Sequence, residues 1–83
     1  MSKYDLVGVD SNAFSVLAYV EKALKREGLK NKIDAYRAEA TSSDYDHLLA
    51  ISIEYIDLAN EKAIENGYIE EGEEWVYKIK EKN

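Results

Sequence analysis

The segment SDYDHLLAISIEYIDLANEKAIENG, residues 43–67, carries a long helical pattern. Its apolar residues recur at spacings of three and four, which places them on two neighbouring stripes of one helix. One stripe is Leu48, Ser52, Tyr55, Ala59 and Ala63, and the other is Leu49, Ile53, Ile56 and Ile64. Ser43 is the predicted N-cap, and Asp44 and Asp46 complement the helix dipole in the first turn. Asn66-Gly67 is typical of a helix C-terminus. Two apolar stripes predict that this helix, about 43–66, is central to the fold.

Two shorter helices are predicted before it. Asp10-Ser11-Asn12 offers N-cap side chains for a helix over about 12–27, and Gly28 occupies the position of a C-terminal glycine. Asn31 can cap a second helix over about 32–40, with Asp34 in capping-box register.

Both ends of the chain show alternating patterns that favour strands. Residues 3–9 predict an opening strand. Near the other end, alternation over 75–80 predicts a strand, with Tyr68-Ile69 as its hairpin mate. Trp75 and Ile79 are also four residues apart, so a terminal helix is the alternative. The expected fold is therefore one α+β domain over residues 1–83, in the order β-α-α-α-β(β), with an all-α domain as the alternative.

Composition narrows the function classes. The 83 residues carry a formal net charge of −6, no cysteine and one histidine. The main basic cluster, Lys22, Lys25, Arg26, Lys30 and Lys32, is diluted by acids and is typical of a solvated helix face, so direct nucleic-acid binding is not expected. No apolar run is long enough to span a membrane and no leader opens the chain, which predicts a cytoplasmic protein. The negative charge favours a basic protein partner.

Polar residues cluster at the predicted starts of helices one and three. A small ligand there would be lined by Asp10, Asn12, Phe14, Asp44, Tyr45, Asp46 and His47. The plainer interpretation is that these residues cap the helices. Unpaired N–H groups would favour an anion and carboxylates a cation, so the two preferences oppose each other. Asp44 and Asp46 diverge by about 200° on a helix, which argues against one metal ion held by both. Asp44 and His47 share a face, where a structural hydrogen bond is expected.

No catalytic set stands out. The serines lie in no nucleophile-elbow context, one histidine is the only candidate base of its type, and no glycine-rich phosphate loop is present. The sequence therefore predicts a protein that is not an enzyme and has no cofactor or metal.

The same two clusters carry a resemblance. Residues 6–14, LVGVDSNAF, and 38–49, AEATSSDYDHLL, resemble the "DGNAF…SGDYDHLL" signature of a family of short, largely uncharacterised proteins of bacteriophages and bacterial genomes. Ser11 and Ser43 stand where the family pattern usually has glycine. The resemblance implies a small protein of phage or mobile-element type that binds a host or phage component.

Charge, tyrosine content and this resemblance predict a non-enzymatic module that binds a protein partner, such as an inhibitor of a host defence or nucleic-acid enzyme. The acidic run Glu70, Glu71, Glu73 and Glu74 is the predicted partner surface, and a homodimer is a further expectation. The alternative is a small-ligand or metal-binding domain with its site at the two helix starts.

Overall fold

The computed structural model describes residues 3–68, which form three α-helices joined by short connections. Helix α1 spans Ala13–Arg26, α2 spans Ile33–Ala40 and α3 spans Tyr45–Glu65, and a 3-10 turn over Lys30–Lys32 leads into α2. No strand occurs within residues 3–68. The α+β prediction is therefore wrong, and this part of the chain is all-α. The predicted strand and hairpin at 69–80 lie outside the described residues, as does the acidic run at 70–74.

Contacts at the helix ends set the helix directions. The Tyr45 hydroxyl donates to the carbonyl of Ser11, which places the starts of α1 and α3 side by side. The Asn66 amide donates to the Glu27 carboxylate at 3.0 Å, which joins the ends of the same two helices. Helices α1 and α3 therefore run in the same direction, and α2, which connects them, runs in the opposite direction.

The core lies where α3 packs against both α1 and α2, which confirms the predicted central position of helix three. The first stripe is buried except for Tyr55, which is partly buried, but Ile53 and Ile64 of the other stripe are exposed. The buried apolar residues are Tyr4, Val16, Val20, Ala23, Leu24, Tyr36, Ala40, Leu48, Ile51, Ile56, Ala59 and Ala63.

Glycines end α1 and α3 at the predicted positions. Gly28 and Gly67 have φ values of +80° and +105°, which side chains disfavour. The residue after each glycine donates its amide back to the last turn: Leu29 to the Leu24 carbonyl at 2.8 Å, and Tyr68 to the Ala63 carbonyl at 2.9 Å. This is the Schellman arrangement, in which the reversed chain satisfies carbonyls that the helix leaves open.

Helix α2 is held by packing rather than by a cap. The predicted cap Asn31 is wrong, because it lies inside the 3-10 turn and no side chain caps α2. Tyr36 is instead fully buried against α3, where its hydroxyl and Ser52 Oγ are 2.7 Å apart. On the outer side, Arg37 forms a bidentate ion pair with Glu21 of α1, at 2.7 to 2.9 Å.

Residues 3–9 form an irregular segment, so the predicted opening strand is wrong. The reason is that side chains take the hydrogen bonds a second strand would supply. Tyr4 donates its amide to Asn60 Oδ1 at 2.8 Å, and Asn60 Nδ2 donates to the Tyr4 carbonyl at 3.0 Å. Asp5 Oδ1 then accepts from the Val7 amide at 2.9 Å, which turns the chain locally.

Candidate functional site

The start of α1 is capped as the sequence predicts. Asn12 has an extended backbone, and its Oδ1 accepts from the Ser15 amide at 2.9 Å. Asp10 Oδ1 accepts from the backbone amide of Asn12 at 3.3 Å and stabilises the turn that precedes the helix. Both side chains therefore serve the local backbone.

The start of α3 differs from the prediction by one residue. Asp44, not Ser43, is the N-cap, and its Oδ1 accepts from the His47 amide at 2.9 Å. Asp44 takes this role because its backbone is extended and α3 begins at Tyr45. A carboxylate is also well placed at the positive end of the helix dipole. Asp46 follows in the first turn with its side chain exposed.

His47 joins the end of α2 to the start of α3. Its Nε2 lies 3.0 Å from the Glu39 carbonyl and 3.2 Å from Ser42 Oγ. Because a carbonyl can only accept, Nε2 carries the proton in this contact. The expected contact between Asp44 and His47 is made by the backbone amide of His47. The imidazole instead contacts the Glu39 carbonyl and Ser42 Oγ.

The structure thus brings the two predicted helix starts together through Tyr45 and Ser11. Asp10, Asn12 and Asp44 are engaged in capping or turn bonds. Within residues 3–68, no three histidine, aspartate or glutamate side chains are grouped to hold a metal ion. Every residue with positive φ in this range is a glycine, so Ser11 and Ser43 introduce no backbone strain.

Phe14 differs from the other residues that were predicted to line a ligand site at the two helix starts. It lies in the first turn of α1, and its side chain is 84% exposed. Beside it a groove of about 430 Å³ runs between α1 and α2, lined by Leu17 and Ala18 of α1 and, on the other side, by Arg37 and Thr41. Neither capping nor core packing accounts for an aromatic ring in this position.

A buried carboxylate, which the sequence interpretation missed, lies at the other end of the bundle. Glu27 follows α1 and is only 3% exposed. Its carboxylate accepts from the Tyr4 hydroxyl, from Lys3 Nζ at 2.8 Å and from Asn66 Nδ2 at 3.0 Å. Position 27 continues the inward-facing series Val16, Val20 and Ala23, so an acid on the buried face was the signal that could have revealed it.

These contacts determine the protonation of Glu27. Burial alone would raise its pKa, but hydrogen bonds from Lys3, Tyr4 and Asn66 outweigh burial and lower the pKa from 4.5 to about 2. Burial and the bond to Glu27 raise the pKa of Tyr4. At neutral pH the Glu27 carboxylate is therefore charged, and it binds a neutral Tyr4 hydroxyl and a charged Lys3.

We expect acid to weaken the fold through Glu27. A carboxylate whose pKa is lower in the folded chain stabilises the fold above its unfolded pKa, and that stabilisation is lost as the pH falls through the folded value. Unfolding free energy measured by urea titration should therefore fall as the pH decreases from about 4.5 to about 2. Glu27→Gln should flatten this part of the profile, and an unchanged slope in that variant would contradict the assignment.

The capping bonds predict a second measurable effect. Losing an N-cap costs about 0.5–2 kcal/mol, so Asn12→Ala combined with Asp44→Ala should lower the melting temperature by roughly 5–15 °C. Ser43→Ala is the matched control, because Ser43 is adjacent to Asp44 but is not the cap. Thermal unfolding followed by circular dichroism measures both. A double variant as stable as the control would show that these residues are not needed as caps.

Within residues 3–68, no helix combines the length and the apolar character needed to cross a membrane. The chain matches no protein-family model, and comparison with curated proteins and with solved structures found no match.

Proposed function

We propose that this protein is a non-enzymatic module that binds a protein partner, with Phe14 and the groove between α1 and α2 as the contact surface. The exposure of Phe14 carries the proposal. Aromatic residues beside a well-formed pocket are common energetic centres of protein interfaces, because they bury a large area with few rotatable bonds.

The groove also suggests what enters it. Phe14, Leu17 and Ala18 give it an apolar lining, and Glu21 and Arg37, which also line it, neutralise each other. An apolar side chain of the partner fits such a lining. The net charge of −6 on the whole chain favours the approach of a partner whose surrounding surface is basic.

The resemblance to short phage and bacterial proteins supports a place for this module in a bacterial cytoplasm, acting on a host or phage component. Inhibition of a host defence or nucleic-acid enzyme is the activity we propose for it. The acidic run Glu70, Glu71, Glu73 and Glu74 remains a predicted second contribution to binding.

The test is affinity capture from host cells with three proteins: wild type, Phe14→Ser and Ile64→Ser. Ile64 is the matched control, because it is also an exposed apolar residue but lies on α3 away from the groove. We expect at least one partner to be lost with Phe14→Ser and retained with Ile64→Ser. Capture that is equal for all three proteins would contradict this surface.

A fourth variant with all four acids of the run changed to glutamine separates the two contributions. Reduced capture at low salt only would indicate that the run steers association electrostatically. Loss at every salt concentration would place it in the contact itself.

A further inference from the structure

The face opposite the Phe14 groove is divided by the N-terminal segment, residues 3–9. On the α1 side lies a cleft of about 310 Å³ that is lined by Lys22 and Arg26. On the α3 side lies a cleft of about 320 Å³ that is lined by Asp57 and by Ile53. Tyr4 lines both clefts, so they adjoin. One edge of this face is therefore basic and the other is acidic and apolar.

Several charged side chains on this face have no ion-pair partner within residues 3–68. The ion pairs recorded within residues 3–68 are Lys3–Glu27, Arg37–Glu21 and Lys62–Glu65. Lys22, Arg26 and Asp57 are exposed and take part in none of them. In the cleft on the α3 side, Val7 is 86% exposed and Ile53 is 53% exposed. Exposed apolar side chains beside charged ones match the apolar core and polar rim of a protein interface.

The charges of this face lie on two helices that run in the same direction. Tyr4 lines both clefts, so Lys22 on α1 and Asp57 on α3 border the same part of this face. A rotation of 180° about an axis parallel to the helices, passing in front of residues 3–9, places α1 of one copy over α3 of another. Each Lys22 then faces Asp57 of the other copy.

We propose that this face is the interface of a two-fold homodimer. A surface that is its own complement under such a rotation closes after two copies, which is the commonest form of soluble oligomer. The partner is thus a second copy of this chain. The interface leaves the Phe14 groove uncovered, so it does not depend on the proposed function, and the dimer presents two such grooves.

Charge reversal tests the pairing directly. Overall repulsion between two copies and the local contact between Lys22 and Asp57 predict opposite effects of Asp57→Lys on dimerisation. Lys22→Glu changes the net charge from −6 to −8, and Asp57→Lys changes it from −6 to −4. If only overall repulsion mattered, the second change would strengthen association. If Lys22 and Asp57 meet across the axis, either change creates two like-charge contacts and weakens the dimer by roughly tenfold or more.

The experiment is sedimentation velocity over micromolar to submillimolar concentrations, with circular dichroism to confirm that each variant is folded. We expect wild type to dimerise, each single variant to be shifted to monomer, and an equimolar mixture of the two variants to form a heterodimer. In this heterodimer, one contact is the native pair of Lys22 and Asp57. The other contact joins the two substituted positions, where the positive and negative charges are exchanged. A monomeric wild type, tighter association of Asp57→Lys, or a mixture that stays monomeric would each overturn the proposal.

Discussion

Replacing Glu27 by alanine is expected to lower the free energy of unfolding by about 2–4 kcal/mol. The substitution leaves the buried hydroxyl of Tyr4 without its acceptor, frees the Asn66 amide and removes the ion-pair partner of Lys3. The lysine is partly exposed, so its contribution to the loss is small, and most of the cost comes from the unpaired buried groups. For a domain of this size the melting temperature should fall on the order of 10–25 °C.

The matched control for this variant is Glu65→Ala. Glu65 also lies near a helix end and pairs with a lysine, at 3.6 Å, but its side chain is exposed. Its loss should change stability by less than about 0.5 kcal/mol. Urea titration at neutral pH measures both variants. Equal stability of the two would mean that burial of Glu27 contributes nothing to the fold.

The largest single loss is expected from Tyr36→Ala. Tyr36 is fully buried, its ring packs on Tyr55 at a centroid distance of 5.1 Å, and its hydroxyl bonds Ser52. Removing a buried ring of this size costs about 3–5 kcal/mol, because the cavity closes only in part. A domain this small has a total stability of only about 5–8 kcal/mol, so α2 should detach or the chain unfold near physiological temperature.

Tyr36→Phe separates the ring from the hydroxyl. This variant keeps the packing and leaves Ser52 Oγ buried without a partner, at a cost of about 1–3 kcal/mol. Adding Ser52→Ala removes that unpaired group, so the double variant should recover part of the loss. Amide hydrogen exchange over residues 33–40 gives the local readout. If α2 stays protected in Tyr36→Ala, the ring is not what holds this helix.

The sequence alone determined the helices, because the information for them is local. Apolar residues at spacings of three and four, an asparagine before the first helix and a glycine after each long one act within a few residues, so they place α1 and α3 to within one or two positions. Asp10 and Asn12 were likewise identified as capping residues from their type and position. Ser43 and Asp44 are both good N-cap residues, so residue type did not exclude the wrong choice, Ser43. Only the backbone conformation at residue 44 identifies Asp44 as the cap.

The strand prediction failed because a strand depends on a distant partner. Alternation in residues 3–9 predicted a strand, but Asn60, 56 positions away, supplies the hydrogen bonds that would otherwise require a second strand. Nothing local in the sequence marks Asn60 for that role.

The buried Glu27 group, the groove beside Phe14 and the charged face on either side of residues 3–9 are all products of tertiary structure. Each combines residues from elements far apart in the chain, so which side chains meet depends on how α1, α2 and α3 align. Glu27 appeared to be one more charge on a solvated helix face until Tyr4, Lys3 and Asn66 were brought onto it. Local periodicity determined which segments are helices, whereas long-range packing decided which polar groups lose water and which apolar ones stay exposed.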